Sequence, residues 1–209
     1  MSFYDFAKKV SYPFIRFAFA MRYEGVENIP AGGGYILACN HRSNFDPILL
    51  AHKVPQQIHY LAKVELVRVP VVGGVIRSLG VIPVDRGGGD TAALDNAARL
   101  VQNGGVLGMF PEGHRSKTGA PLRPRSGVSV IAGKTGANIL PVAVSYTKGV
   151  RFRGKVTIRF GEVIPFERLA IDLESPGTIR AASKLIMEEI VAMLEPLPEI
   201  LTPPAGEDR

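Results

Sequence analysis

Three short apolar runs in this chain each end at a cluster of polar residues. YILAC (35–39) ends at NHRSNFD (40–46), VIPV (81–84) at DRGGGD (85–90), and VLGMF (106–110) at PEGHRS (111–116). Runs of four or five apolar residues are short for a buried helix. They suit strands covered on both faces, as in parallel sheets. Stretches with helical spacing lie between them, so strands and helices alternate. The alternation predicts an α/β fold: a single domain with a mixed, largely parallel sheet flanked by helices. Ligands bind such sheets beyond the carboxyl ends of the strands, so clusters far apart in sequence are expected to meet on one edge.

The other elements follow from local signals. Residues 24–30 read as a short strand and turn. Asp46-Pro47 reads as a helix start, with Asp as N-cap and Pro at the first helical position, running through ILLAHK. IHYLAKV (58–64) is a strand, and a helical stretch is expected over residues 65–78, interrupted near Pro70 and Gly73-Gly74. Asp90 or Thr91 caps a helix to Gln102, with Leu94, Ala97, Ala98 and Val101 on one face and Gly104 near its end. Residues 126–135 read as a helix, ILPVAVSY (139–146) as a strand, and KVTIRFGEVIPF (155–166) as a strand with a glycine turn. A last helix begins near Pro176 and lines up Ile179, Ala182, Ile186, Ile190 and Met193. The domain is expected over residues 24–196, followed by a Pro-rich tail over 197–209.

The net charge of +6 suits anionic partners such as nucleic acid, anionic lipid or phosphorylated substrates, without choosing among them. The single cysteine, Cys39, excludes an internal disulfide and reads as a small buried residue at a strand end. No segment reaches the roughly 18–20 uninterrupted apolar residues that span a bilayer. Asp5, Lys8, Lys9 and Arg16 break up the N-terminal apolar stretch, so it does not read as a signal peptide. That stretch is nonetheless unusual. Eight of the sixteen Phe and Tyr residues fall within the first 23 positions, among four basic residues. Aromatics with Lys and Arg on an amphipathic helical segment suit a membrane interface, and residues 1–23 are read that way. A helix packing its rings onto the domain is the plainer alternative. Pro13 is expected to kink or divide the segment.

His41 and Asp46 are the strongest candidate pair. Five residues apart, they do not align on a helix. A loop entering a helix would let Asp46 accept from the imidazole Nδ1 and leave Nε2 free to take a proton from a hydroxyl. By local pattern alone, a capping Asp46 beside an ordinary loop histidine is equally open. Arg86 and Arg115 follow strands and carry the planar donors that suit phosphate, although a lone arginine there is more often a surface ion pair. Lys63 is weak for the same reason. The four histidines, 41, 52, 59 and 114, show no metal-binding spacing, and no metal site is expected.

Together, N-H-x-x-x-x-D at 40–46, GVIPVDR, FPEGHRS and ILPVAV, in that order, resemble the glycerolipid acyltransferases, specifically the 1-acylglycerol-3-phosphate acyltransferase branch. The blocks span Asn40 to Val144. Pro83 departs from the pattern, since an aromatic is common there. The resemblance implies direct acyl transfer from a thioester, acyl-CoA or acyl carrier protein, to the sn-2 hydroxyl of lysophosphatidate. His41 would be the general base and Asp46 its orienting partner, with no acyl-enzyme and no cofactor. In keeping with that, the chain has no G-x-S-x-G elbow. Lys63, Arg115 and Arg86 would hold the acceptor phosphate, and Glu112 and Gly113 would shape its pocket. His114 sits at a variable position. Residues 1–23 would place the enzyme on the cytoplasmic face of the membrane, and no nucleic acid is implied.

Other readings fare worse. Gly32-Gly33-Gly34 precedes its strand, whereas a dinucleotide loop follows one. Gly87-Gly88-Gly89 lacks the Lys-Ser/Thr of a phosphate loop. Ser145-x-x-Lys148 ends a strand rather than opening a helix. A glycerol-3-phosphate or other lysophospholipid acceptor, or a non-catalytic lipid-binding module, remains as an alternative.

Overall fold

A computed structural model describes residues 2–65, 74, 79–84 and 91–195. Seven strands form one sheet: β1 (Phe19–Glu24), β2 (Ile36–Cys39), β3 (Ile58–Lys63), β4 (Ile82–Val84), β5 (Val106–Met109), β6 (Ile139–Tyr146) and β7 (Gly154–Phe160). Their spatial order is β1-β7-β6-β2-β5-β3-β4. Five neighbouring pairs are parallel and one, β6 with β7, is antiparallel. β6, β2, β5, β3 and β4 therefore point one way, and β7 with β1 point back.

The short apolar strands are buried on both sides, as their length and composition dictate. Ile36, Ala38, Leu107 and Ile139 face one apolar cluster, and Tyr35, Leu37, Cys39, Val106 and Leu140 face the other. The first cluster is closed by α3 (Thr91–Gln102), α4 (Gly127–Thr135) and α5 (Pro176–Ala192), through side chains such as Ala97, Ile131 and Ile186. The second is closed by α1 (Phe3–Ala18) and α2 (Asp46–Ala51), through Ile15, Leu49 and Leu50. The domain is thus a sheet between two helical layers, as its alternating pattern predicts. All eight residues of β6 are buried, which places this strand at the centre of the core.

Three local expectations are corrected. Strand β1 occupies Phe19–Glu24, where residues 24–30 were expected to supply the strand, and Val26–Asn28 forms a 3-10 turn instead. The aromatic N-terminal segment is therefore helix up to Ala18 and sheet beyond it. Pro13 does not divide α1, which runs unbroken from Phe3 to Ala18. Pro13 is exposed, so the carbonyl deprived of its partner lies within reach of water. Asp46 is not the N-cap of α2. Phe45 holds that position and Asp46 is the first helical residue. The helix expected over residues 65–78 falls almost wholly outside the described residues, as do the DRGGGD cluster and the tail.

Candidate active site

Strands β2 and β5 are adjacent and parallel, with Leu37 beside Gly108. Their carboxyl ends therefore release NHRSNFD and PEGHRS side by side. Two buried polar side chains stitch the first loop in place. Asn40 Nδ2 donates to the Val144 carbonyl at 3.0 Å, and its Oδ1 accepts from the Val144 amide at 2.7 Å. An asparagine side chain here extends the ladder between β2 and β6 by one more pair. Glu112 Oε1 accepts from the His41 amide at 2.7 Å, and Oε2 accepts from the Leu122 amide at 2.9 Å. The Ser116 amide donates to the His41 carbonyl at 2.8 Å. The two polar clusters are thus fastened to each other through the backbone on both sides of His41.

His41 Nδ1–H donates to Asp46 Oδ2 at 2.9 Å. Asp46 is fully buried, while the His41 side chain keeps 18% of its surface exposed. The same carboxylate oxygen accepts the amides of Arg42 at 2.7 Å and Ser43 at 2.8 Å. Its other oxygen accepts the Tyr146 hydroxyl at 2.7 Å. A buried carboxylate is tolerated only when its lone pairs are filled, and these four donors fill them. With Nδ1–H committed to the carboxylate, the tautomer is set and Nε2 carries the free lone pair. The ring lies flat on Phe110, with centroids 3.9 Å apart and planes 15° apart. Tyr60 also lies parallel to Phe110, with centroids 5.8 Å apart and planes 10° apart. Gly108 leaves space for it: a Cβ there would come within 2.3 Å of the Tyr60 ring.

Electrostatics around the pair favour fixed protonation states. Burial, and then the Asp46 charge, push the Tyr146 hydroxyl far above its ordinary value, so it remains a donor. Burial raises the Glu112 carboxyl, against the lowering effect of the His41 and Leu122 amides. Cys39 is fully buried and burial pushes its thiol well up, which leaves it inert.

The remaining candidates are placed less closely. Lys63 ends β3 on the same edge of the sheet as His41, its side chain lying outside the described residues. Asp85 and Arg86 also lie outside them. Arg115 is exposed, one residue before the Ser116 tie to His41. Gly113 takes a left-handed φ of +74°, and a Cβ there would meet Arg125 at 2.8 Å. Glu112 is a buried strut rather than an open wall of a pocket.

Sequence reasoning missed Tyr146, Phe110, Arg42 and Arg125. Arg42 Nη1 donates to the Gly119 carbonyl at 3.2 Å, and its Nε is buried without a partner among the described residues. The amides nearest the histidine are not open for a ligand. Those of His41, Arg42, Ser43, Phe45 and Asp46 all donate within the loop or to Glu112. An oxyanion would have to be met by other donors.

Comparison with known proteins places these features in context. The profile of the family described as Acyltransferase matches residues 20–145. A 1-acyl-sn-glycerol-3-phosphate acyltransferase of Bacillus subtilis is 33% identical over 140 residues, covering 65% of this chain and 69% of that protein. One of Borreliella burgdorferi is 35% identical over 125 residues, covering 59% of this chain and 50% of its own length. The crystal structure of the 1-acyl-sn-glycerophosphate (LPA) acyltransferase PlsC from Thermotoga maritima superimposes with a TM-score of 0.69. It shares 26% identity, over 91% of this chain and 78% of that one.

Proposed function

The chain belongs to the acyltransferase family, and on that premise we propose that it acylates the sn-2 hydroxyl of lysophosphatidate to give phosphatidate. The donor is a fatty acyl thioester, acyl-CoA or acyl carrier protein, and no other cofactor takes part. The observation that carries this reading is the buried Asp46 holding His41 Nδ1–H at 2.9 Å, which leaves Nε2 as a base at the edge of the sheet.

The chemistry needs one proton carried and one bond exchanged. His41 Nε2 takes the hydroxyl proton as the oxygen attacks the thioester carbonyl carbon, and Asp46 stabilises the imidazolium that forms. Collapse of the tetrahedral intermediate breaks the C–S bond, and the proton passes from His41 to the leaving thiolate. No acyl-enzyme forms. Arg115, Lys63 and Arg86 hold the acceptor phosphate, and Gly113 lets the backbone approach it.

Helix α1 supplies the membrane contact. Its inner face is tied down by Tyr4 and Ile15, both buried, and by Lys8 Nζ donating to the Val54 carbonyl at 2.7 Å. Its outer face carries Phe3, Phe6, Val10, Phe14 and Phe17, all exposed and spaced by three and four residues. Lys9 and Arg16 flank them. A helix that presents rings and cations outward after its inner face is satisfied suits the interface of an anionic leaflet. Among the described residues no helix is long and apolar enough to cross a membrane.

The test is an acyl-transfer assay with both donor types and a panel of lysophosphatidate, glycerol-3-phosphate and other lysolipids. The wild type should prefer lysophosphatidate. His41→Ala should lose about 100-fold or more in kcat. Equal turnover by the two proteins would remove the mechanism. No transfer by the wild type to any acceptor would leave a lipid-binding module.

A further inference from the structure

The loop joining β6 to β7, residues 147–153, reads TKGVRFR. No acidic residue occurs between Thr147 and Gly161, while Lys148, Arg151, Arg153 and Lys155 crowd the turn. Two apolar side chains stand among these cations: Val150 is 42% exposed and Phe152 64%. The loop is not slack. Gly149 N donates to the Tyr146 carbonyl at 3.2 Å, Gly154 N to the Arg151 carbonyl at 3.0 Å, and Arg153 N to the Ala18 carbonyl at 2.6 Å. Lys148 and Arg153 are held at φ of +61° and +56°, the left-handed region that costs non-glycine residues energy. The chain accepts that cost in a hairpin that presents Phe152 to solvent.

Phe152 is also placed with purpose relative to α1. Its ring meets that of Phe17 at 5.3 Å, and the Arg153 guanidinium lies 6.0 Å above Phe17. The last exposed ring of the α1 outer face and the hairpin ring are therefore one patch. Beside it runs a groove of about 720 Å³, whose lining includes Arg16, Arg22, Thr147, Lys155 and Thr157, with Glu195 also on its wall. Arg22 is paired with Glu24 at 2.8 Å, and Glu195 with Arg159 at 3.3 Å. Arg16 and Lys155 have no carboxylate partner among the described residues. Two unpaired cations and two hydroxyls are the donors a phosphate diester needs.

We propose that the β6–β7 hairpin is a second bilayer contact: Val150 and Phe152 enter the interface beside Phe17, and the Arg16–Lys155 groove takes the phosphate of an anionic phospholipid. This rests on α1 being the membrane-facing helix. It widens the attachment sideways from the end of α1, and a contact with breadth as well as length fixes the tilt of the domain on the leaflet where one helix would leave it free to roll. Exposed apolar residues ringed by cations match a surface that is anionic outside and apolar beneath.

The experiment uses the full chain with sedimenting vesicles of phosphatidylcholine, alone or mixed with phosphatidylglycerol. Three double variants are compared: Val150→Ser with Phe152→Ser in the hairpin, Arg16→Gln with Lys155→Gln in the groove, and Phe6→Ser with Phe14→Ser in α1. The hairpin variant should lose about tenfold in partitioning to mixed vesicles. The groove variant should lose binding only where phosphatidylglycerol is present. Turnover of a short-chain, water-soluble acceptor should stay unchanged in all three, and matching thermal melts establish that each is folded. Wild-type binding by the hairpin and groove variants, with loss in the α1 variant, would overturn the proposal and leave the α1 reading standing. Wild-type binding by all three would remove both. A hairpin variant that binds vesicles normally and changes only the oligomeric state in sedimentation velocity would make the patch a subunit contact instead.

Discussion

Tyr146, the last residue of β6, donates its hydroxyl to Asp46 Oδ1 across 2.7 Å and 100 residues of sequence. Asp46 Oδ2 is already occupied by His41 and the Arg42 and Ser43 amides. The tyrosine is therefore what satisfies the second oxygen of a buried carboxylate. Tyr146→Phe should leave that oxygen unpaired and cost about 1–3 kcal/mol of stability. Asp46 would then hold the imidazole less well, so kcat should fall about tenfold with KM little changed. Steady-state kinetics beside a denaturant melt checks both. An unchanged kcat in a folded variant would show that the tyrosine only packs.

Glu112 has two oxygens and two amide donors, one from His41 and one from Leu122. Glu112→Gln keeps one acceptor and turns the other into a donor facing an N–H. It should destabilise the loop by about 1–3 kcal/mol and reduce activity with it.

The same group gives the wild type a pH signature. Burial raises the folded Glu112 pKa above its ordinary 4.5, so between 4.5 and the raised value the folded protein holds a proton that the unfolded chain has released. The stability tied to this group is complete below 4.5 and is lost as pH rises through the raised folded value. Thermal melts from pH 4 upward should show this decline in the wild type and not in Glu112→Gln.

His52 should have the opposite sign. It lies between α2 and α1, with its ring edge-on to Tyr12 at 5.1 Å and Nε2 buried without a partner among the described residues. Burial first, and then the Lys8 charge, lower its pKa below 6.5. The neutral ring is the one the fold accepts, so its stabilising contribution is present above pH 6.5. It is lost as pH falls through the depressed value. Hydrogen-exchange protection factors in α1, corrected for the intrinsic pH dependence of exchange, should therefore fall on acidification from pH 7.5 to 5. His52→Phe should flatten that dependence.

Gly119 has φ +98°, and a Cβ on it would lie 2.4 Å from Arg42 Nη1. Gly119→Ala should push the guanidinium out of its contact with the Gly119 carbonyl and strain the turn, costing about 1–3 kcal/mol. A crystal structure of the variant with Arg42 unmoved would show that the turn yields instead.

Much of this architecture was legible in the sequence. ILPVAVSY matches β6 residue for residue, and Thr91 to Gln102 forms the helix its apolar spacing predicts. Both depend on neighbours close in the chain. Strand β1 was illegible because its partner among the described residues is β7, with Phe19 beside Gly154, more than 130 residues away. Its partial burial gives no clean alternation. The role of Asp46 was only half legible. Asp-Pro is a sound signal for a helix start, and a helix does start there. The carboxylate is drawn into the loop by His41, Arg42 and Ser43, which outweigh a single cap bond.

The sequence alone determined that strands and helices alternate, that the NHRSNFD and PEGHRS clusters each follow an apolar strand, and that His41 and Asp46 are the candidate pair there. These follow from period and spacing, which are local. Only the tertiary structure decided that Tyr146 and Asn40 complete the site, that Glu112 is its strut, and that Phe152 meets Phe17. Those contacts join residues from about 70 to about 135 positions apart, and such pairings arise only when the sheet order brings distant strands together.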